Sequence, residues 1–307
     1  MSQALADHAT QTIRAGSKSF AAASRLFEPD TRRSAVLLYA WCRHCDDVID
    51  GQLLGMGRSP AIQTPASERL AELVAATQSA FAGEPATDPA FAAFQEVALK
   101  HRIPQRYALD HLRGFAMDVE DREYRGIDDT LEYCYHVAGV VGVMMAIIMG
   151  ARDAATLDRA CDLGIAFQLT NIARDIVEDA AIGRCYLPSQ WLDEFAIAPS
   201  ELAAERHRAS LAILARRLIE LAEPYYSSAL DGLPALPFRS AWAVATAHGV
   251  YRQIGVRVVE RGADAWNSRT FTSRADKLRL AAQGYWVVLT ARRRTARPRP
   301  ALYQRPR

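Results

Sequence analysis

Val36-Leu37-Leu38-Tyr39-Ala40-Trp41-Cys42-Arg43-His44-Cys45-Asp46-Asp47-Val48-Ile49-Asp50 opens as an apolar run and closes on acids. Tyr39, Arg43, Asp46 and Asp50 fall at i, i+4, i+7 and i+11, so a helix here places a phenol, a guanidinium and two carboxylates on one face. Such a face packs poorly against apolar core. A second stretch repeats the arrangement: after Leu163-Gly164-Ile165-Ala166-Phe167, residues Gln168, Asn171, Asp175 and Asp179 fall at i, i+3, i+7 and i+11. One charged stripe on a helix is usually a solvated surface; two matched stripes set in apolar flanks are not explained that way. Packed face to face, Asp46, Asp50, Asp175 and Asp179 would offer the hard oxygen ligands that Mg2+ or Mn2+ takes together with substrate phosphate oxygens. The expected substrate is an organic diphosphate.

Helical periodicity dominates the remainder, with no sustained alternation of apolar and polar residues and no Asn-Gly hairpin signal, so the fold class is all-α. Helices are predicted near 3–23, 30–51, 66–82, 88–101, 104–122, 129–150, 153–180, 199–231, 236–264 and 273–292. Pro29, Pro65, Pro89 and Pro104 fall near helix starts, and Pro234 and Pro237 separate two late helices. Asp129-Thr130-Leu131-Glu132 reads as a capping box opening its helix, which gives these acids a structural purpose. Gly51 to Pro65, rich in Gly, Pro and Ser, reads as a flexible loop directly after the first acidic motif. The small residues of Val137-Ala138-Gly139-Val140-Val141-Gly142 suit either a close helix crossing or room for a long ligand.

Bulk properties bound the function. A chain of 307 residues that is 50% hydrophobic and 23% charged is an ordinary globular protein. Its five scattered cysteines argue against a disulfide framework and for a reducing cytoplasm. Cys42-x-x-Cys45 has no second pair to complete a zinc site and reads as helix packing. The first twenty residues show no apolar signal region, and the longest uncharged apolar run, Val137 to Ala151, is shorter than the roughly 20 residues a bilayer span needs. Net charge is +2, but residues 292–307 hold seven arginines and no acid, which leaves residues 1–291 at net −5. The expected organisation is one helical domain over 1–291 and a disordered arginine-rich tail over 292–307. With a net-acidic body and no nucleic-acid motif, the tail is expected to meet an anionic membrane surface rather than nucleic acid.

A diphosphate also needs positive partners. Ser17-Lys18-Ser19, Arg43, Arg174 and Arg184 lie near helix ends or the acidic motifs, and arginine suits forked phosphate contacts. Tyr133, Tyr135, Tyr186, Phe20 and Phe167 either line an apolar cavity, where aromatic faces stabilise a carbocation, or form ordinary core.

Tyr39 through Asp50 resembles the first signature of the squalene/phytoene synthase family, and Gly164 through Asp179, continuing into Gly183-Arg184-Cys185-Tyr186-Leu187-Pro188, resembles the second. Ser17-Lys18-Ser19-Phe20 and Tyr133-Cys134-Tyr135-His136-Val137-Ala138-Gly139 add two further matches, and the resemblance covers most of residues 14 to 290. It implies an isoprenoid-synthase fold, a single helical domain with a central cavity. It also implies head-to-head condensation of two geranylgeranyl diphosphates, through prephytoene diphosphate, to phytoene. By motif match, Asp46, Asp50, Asp175 and Asp179 would hold Mg2+ or Mn2+ with Asn171 assisting. Ser17, Lys18, Ser19, Arg43, Gln168, Arg174 and Arg184 would meet substrate, with Tyr39, Tyr133, Tyr135 and Tyr186 as cavity and carbocation residues. The family also makes a response to ATP an expectation. Gly16 stands where some relatives carry a phosphate-contacting histidine.

Two enzyme alternatives and one silent one stand beside this. A head-to-tail prenyl diphosphate synthase would share D-D-x-x-D at Asp46 to Asp50, but it would place acids at 171 and 172, where this chain has Asn171 and Ile172. A squalene or dehydrosqualene synthase would use the shorter farnesyl chain, and the former would add reduction by NADPH. A helical scaffold without activity would have no use for intact acids at all four positions.

Overall fold

The computed structural model describes residues 18–53, 56–58, 64–293 and 297–307; of residues 18–19, 52–53 and 56–58 it describes the backbone. The helices are α1 (Lys18–Ala23), α2 (Pro29–Asp50), α3 (Ala66–Ala82), α4 (Pro89–His101), α5 (Gln105–Val119), α6 (Ile127–Cys134), α7 (Val140–Ile148), α8 (Ala154–Ala181), the short α9 (Ser189–Asp193), α10 (Arg208–Leu230), α11 (Phe238–Arg261) and α12 (Arg274–Ala291). The proline signals hold. Pro29 and Pro89 open α2 and α4, Pro65 and Pro104 immediately precede α3 and α5, and Pro237 precedes α11. Asp88 Oδ1 accepts the Ala90 N–H at 2.7 Å and Asp153 Oδ1 the Thr156 N–H at 2.8 Å, so both N-termini carry side-chain caps. Gly51, at φ 64°, stops α2 one residue past Asp50 in the left-handed region that only glycine enters without strain.

Several expectations change. A minimal antiparallel hairpin, β1 (Gln52–Leu53) with β2 (Met56–Arg58), follows the first acidic motif in a stretch with no strand signal. The remainder of the expected flexible loop, 54–55 and 59–63, lies outside the described residues, as do residues 3–17 of the first predicted helix. The late helix predicted from 199 begins at Arg208 and is preceded by short turns at Pro199–Glu201 and Glu205–His207. The capping box is displaced: α6 begins at Ile127, and Asp129 Oδ2 reaches back to accept the Arg125 and Gly126 N–H groups, both at 2.9 Å.

α8 is the central helix, packed on α7, α10 and α11. At 28 residues it is about 42 Å long. Its crossing with the preceding segment resolves the two uses left open for the small residues. A Cβ on Gly164 would lie 2.2 Å from the Ala138 carbonyl oxygen, and one on Gly142 would lie 2.3 Å from that of Ala160. The glycines therefore exist for backbone contact. Tyr135–Gly139 form a π-helical turn at this crossing, between α6 and α7. The continuous run Ile127–Ile148 is long and apolar enough to cross a membrane, but 67% of its most apolar window is buried in the protein, which makes it a core helix.

Residues 297–307 of the tail are not the disordered segment expected. Arg299 forks onto Asp162, at 2.9 and 2.6 Å, and Asp162 is fully buried and also accepts the Ser228 hydroxyl at 2.6 Å. Arg305 pairs with Asp158 at 2.6 Å and donates to the Tyr107 hydroxyl at 3.2 Å. The Tyr225 hydroxyl accepts the Tyr303 N–H at 3.2 Å, and Arg159 donates to the Arg297 carbonyl. The physical reason is on α8: Asp158 and Asp162, one turn apart, are low-exposure acids that need counter-charges, and the tail supplies them.

Candidate active site

The two acidic stripes sit on α2 and on the C-terminal half of α8, and Arg184 joins them. Its guanidinium donates to Asp50, while its backbone N–H donates to the Asp179 carbonyl at 2.9 Å. Burial opposes the charge on Arg184, but Tyr186, Asp118 and Asp50 outweigh it and hold the guanidinium above its usual range. Asp46, Asp47, Asp175 and Glu178 also have arginine partners. Arg43 bonds Asp46 at 2.8 Å and Asp47 at 2.9 Å. Arg174 forks onto Asp175 at 2.7 and 2.5 Å, and Arg269 reaches Asp175 at 3.0 Å and also bonds Glu178.

Four guanidinium groups (Arg43, Arg174, Arg184, Arg269) thus face seven acids (Asp46, Asp47, Asp50, Asp118, Asp175, Glu178, Asp179), an excess of three negative groups. Burial, with the neighbouring acids adding to it, raises the acids that are most enclosed. Burial, then Asp50 and Asp47, push Asp46 up to about 6 against the pull of Arg43. Burial and Asp175 push Asp179 up to about 7 against Arg184. Asn171 adds a buried Oδ1 with no hydrogen-bond partner, while its amide donates weakly to Gln168 Oε1 at 3.3 Å.

This donor set fits a hard divalent cation: all of it is oxygen, it carries surplus negative charge, and one carbonyl oxygen is orphaned. Among the described residues no three acid, histidine or cysteine side chains form a ready-made cage.

Aromatic side chains surround the acids. Tyr39 stacks on Phe20 at 5.1 Å, and Phe167 stacks on Tyr251 at 4.1 Å. Tyr133 stacks on Tyr186 at 4.4 Å, and both phenols donate to Asp118, at 3.3 and 3.0 Å. Burial raises Tyr39, Tyr133 and Tyr186, so all three stay protonated at neutral pH. Asp118 itself is pushed up to about 6 by burial, opposed by Arg184.

The structure brings together Tyr39, Arg43, Asp46, Asp50, Tyr133, Gln168, Asn171, Arg174, Asp175, Asp179, Arg184 and Tyr186. Tyr135 is a correction. Its hydroxyl donates to Asp110 at 2.6 Å and its ring meets Tyr303 of the tail at 5.8 Å, so its contacts are with α5 and the tail rather than with the acids. Ser17 and the side chains of Lys18 and Ser19 lie outside the described residues. Sequence reading missed Asp118, Tyr251 and Arg269. The signal for Asp118 was an acid inside the apolar run Phe115-Ala116-Met117-Asp118-Val119; nothing local marked Arg269, which comes from a loop.

A helical body that brings two acid-and-arginine stripes together among aromatic side chains defines a prenyltransferase of the isoprenoid-synthase class. The chain belongs to the squalene/phytoene synthase family, whose pattern matches residues 13–281. It is 59% identical to the 15-cis-phytoene synthase of Pantoea ananas over 98% of both chains, and 57% identical to the phytoene synthase of Pseudescherichia vulneris, again over 98% of both. Coverage this complete extends the similarity into the tail that the motifs alone left out. A solved dehydrosqualene synthase in complex with ligand superposes with a TM-score of 0.80 at 26% identity, over 94% of this chain and 98% of that one.

Proposed function

We propose that this chain is a phytoene synthase, condensing two geranylgeranyl diphosphates head to head, through prephytoene diphosphate, to phytoene with release of diphosphate. The observation that carries the reading is the pair of acid stripes joined by Arg184 in a chain 59% identical to a 15-cis-phytoene synthase. The shorter-chain alternative has weaker support, since likeness to a dehydrosqualene synthase stands at 26% identity.

Bound Mg2+ or Mn2+, held by Asp46 and Asp50 on one side and by Asn171, Asp175 and Asp179 on the other, would neutralise charge on the departing diphosphate. The chain's own residues supply the rest. Arg43, Arg174, Arg184 and Arg269 present forked donors to diphosphate oxygens, exchanging the acids they hold for the substrate. Tyr39, Phe167 and Tyr251 wall the space beside them, exclude water from the allylic cation and offer it their π-faces. The phenols of Tyr133 and Tyr186, held protonated and anchored on Asp118, act as hydrogen-bond donors rather than bases. Released diphosphate is the base we assign to the final proton loss.

The test is turnover of geranylgeranyl diphosphate by Asp50→Asn and Asp179→Asn, each expected to fall at least a hundred-fold with the helical fold retained. Wild-type turnover by either variant removes that residue from the site.

A further inference from the structure

α12 is apolar on two sides. Leu280, Gly284 and Val288 are buried, the helix lies against α11, and the Trp242 indole donates to the Ala281 carbonyl at 2.7 Å. Ala275, Leu278, Ala282, Tyr285 and Trp286 follow at i, i+3, i+7, i+10 and i+11, a single stripe, and all five are exposed. Leu278 is 75% exposed, Trp286 66%, and Phe271, just before the helix, 72%. A surface helix ordinarily turns its polar face outward, so large apolar side chains gathered on the outer face mark an interaction surface.

The charge around the stripe is positive. Arg274, Arg279 and Arg293 belong to the helix or its end, and the acid among them, Asp276, is occupied by the Ser273 cap and by Arg257 at 2.8 Å. The surface is also continuous with the acid site, because Arg269, two residues before Phe271, bonds Asp175 and Glu178. Of the seven tail arginines first expected to meet a membrane, Arg299 and Arg305 are committed to Asp162 and Asp158 instead.

We infer that the outer face of α12, with Phe271, docks on an anionic lipid bilayer, seating Leu278, Tyr285 and Trp286 at the headgroup boundary and the flanking cations against lipid phosphates. A basic amphipathic helix lies in the interface in this way, and Trp and Tyr are favoured at that depth. The inference rests on the prenyl diphosphate reading, since docking here holds the diphosphate site beside the bilayer in which a long prenyl chain dissolves.

The experiment is co-sedimentation of the full chain with vesicles of phosphatidylcholine, alone or mixed with phosphatidylglycerol. Wild type is expected to sediment with the mixed vesicles, Leu278→Ser/Trp286→Ser to lose roughly ten-fold or more of that partitioning, and Arg274→Gln/Arg279→Gln to lose the preference for phosphatidylglycerol. Turnover of geranylgeranyl diphosphate in detergent, measured in parallel, is expected to be equal in all three, which separates docking from folding and from the functional reading. The inference is overturned if wild type stays in the supernatant, if Leu278→Ser/Trp286→Ser sediments like wild type, or if velocity sedimentation shows a wild-type dimer that this variant converts to monomer. Absent turnover in wild type would refute the functional reading and leave the vesicle result standing.

Discussion

Gly164→Ala adds one methyl group at the point where α8 crosses the π-helical turn. The new Cβ would sit 2.2 Å from the Ala138 carbonyl oxygen and 2.7 Å from the Gly139 Cα. A carbon–oxygen contact needs about 3.3 Å, so the segments must part by roughly 1 Å. Over-packing of this kind costs about 1–3 kcal/mol, which in a chain of this size lowers Tm by about 2–6 °C. The consequence for activity is sharper. Gly164, Gln168, Asn171, Asp175 and Asp179 share one face of α8, so parting the helices at Gly164 displaces the acid stripe itself. A 1 Å misplacement of a reacting group lowers rate by about a hundred-fold. Thermal unfolding and turnover with geranylgeranyl diphosphate check both effects in one preparation. A variant with unchanged Tm and unchanged turnover would refute the claim that this crossing sets the position of the acids.

Two further outcomes follow from buried charge. Arg299→Ala leaves Asp162 fully buried without its counter-charge and is expected to cost about 3–5 kcal/mol in denaturant unfolding; a cost under about 0.5 kcal/mol would return the tail to a dispensable extension. His111 is held down to about 4 by burial, with its Nδ1 3.2 Å from the His136 carbonyl. The folded state therefore favours the neutral ring, the unfolded state binds the extra proton below about 6.5, and stability present above that pH is lost as pH falls toward 4. At pH 4.5 the loss from this group is about 3 kcal/mol, and His111→Gln should flatten the acid limb of stability against pH by that amount; an identical limb would assign acid unfolding elsewhere.

How much the chain disclosed depended on whether a feature was local. The acid stripes were legible because i, i+4 spacing within apolar helices is a periodic signal, and the prolines marked helix starts because their φ is fixed. Tyr133 and Tyr135 were read together as cavity residues, yet residues two apart point to opposite faces of a helix, and one reaches the acid site while the other meets the tail. Asp118 and Arg269 become site residues through contacts 68 and 94 residues away in sequence, with Tyr186 and Asp175. The tail was misread because an arginine run looks solvated unless its partners are known. Asp158 and Asp162 were the missing clue, a second i, i+4 acid pair on the helix already singled out for Asp175 and Asp179.

The decisive experiment is to incubate the purified chain with geranylgeranyl diphosphate and Mg2+ or Mn2+, without reductant or isopentenyl diphosphate, and to analyse the organic extract. Phytoene, together with released diphosphate, is the expected product. No C40 hydrocarbon under any metal and detergent condition, with product formed instead from farnesyl diphosphate, would contradict the phytoene synthase reading.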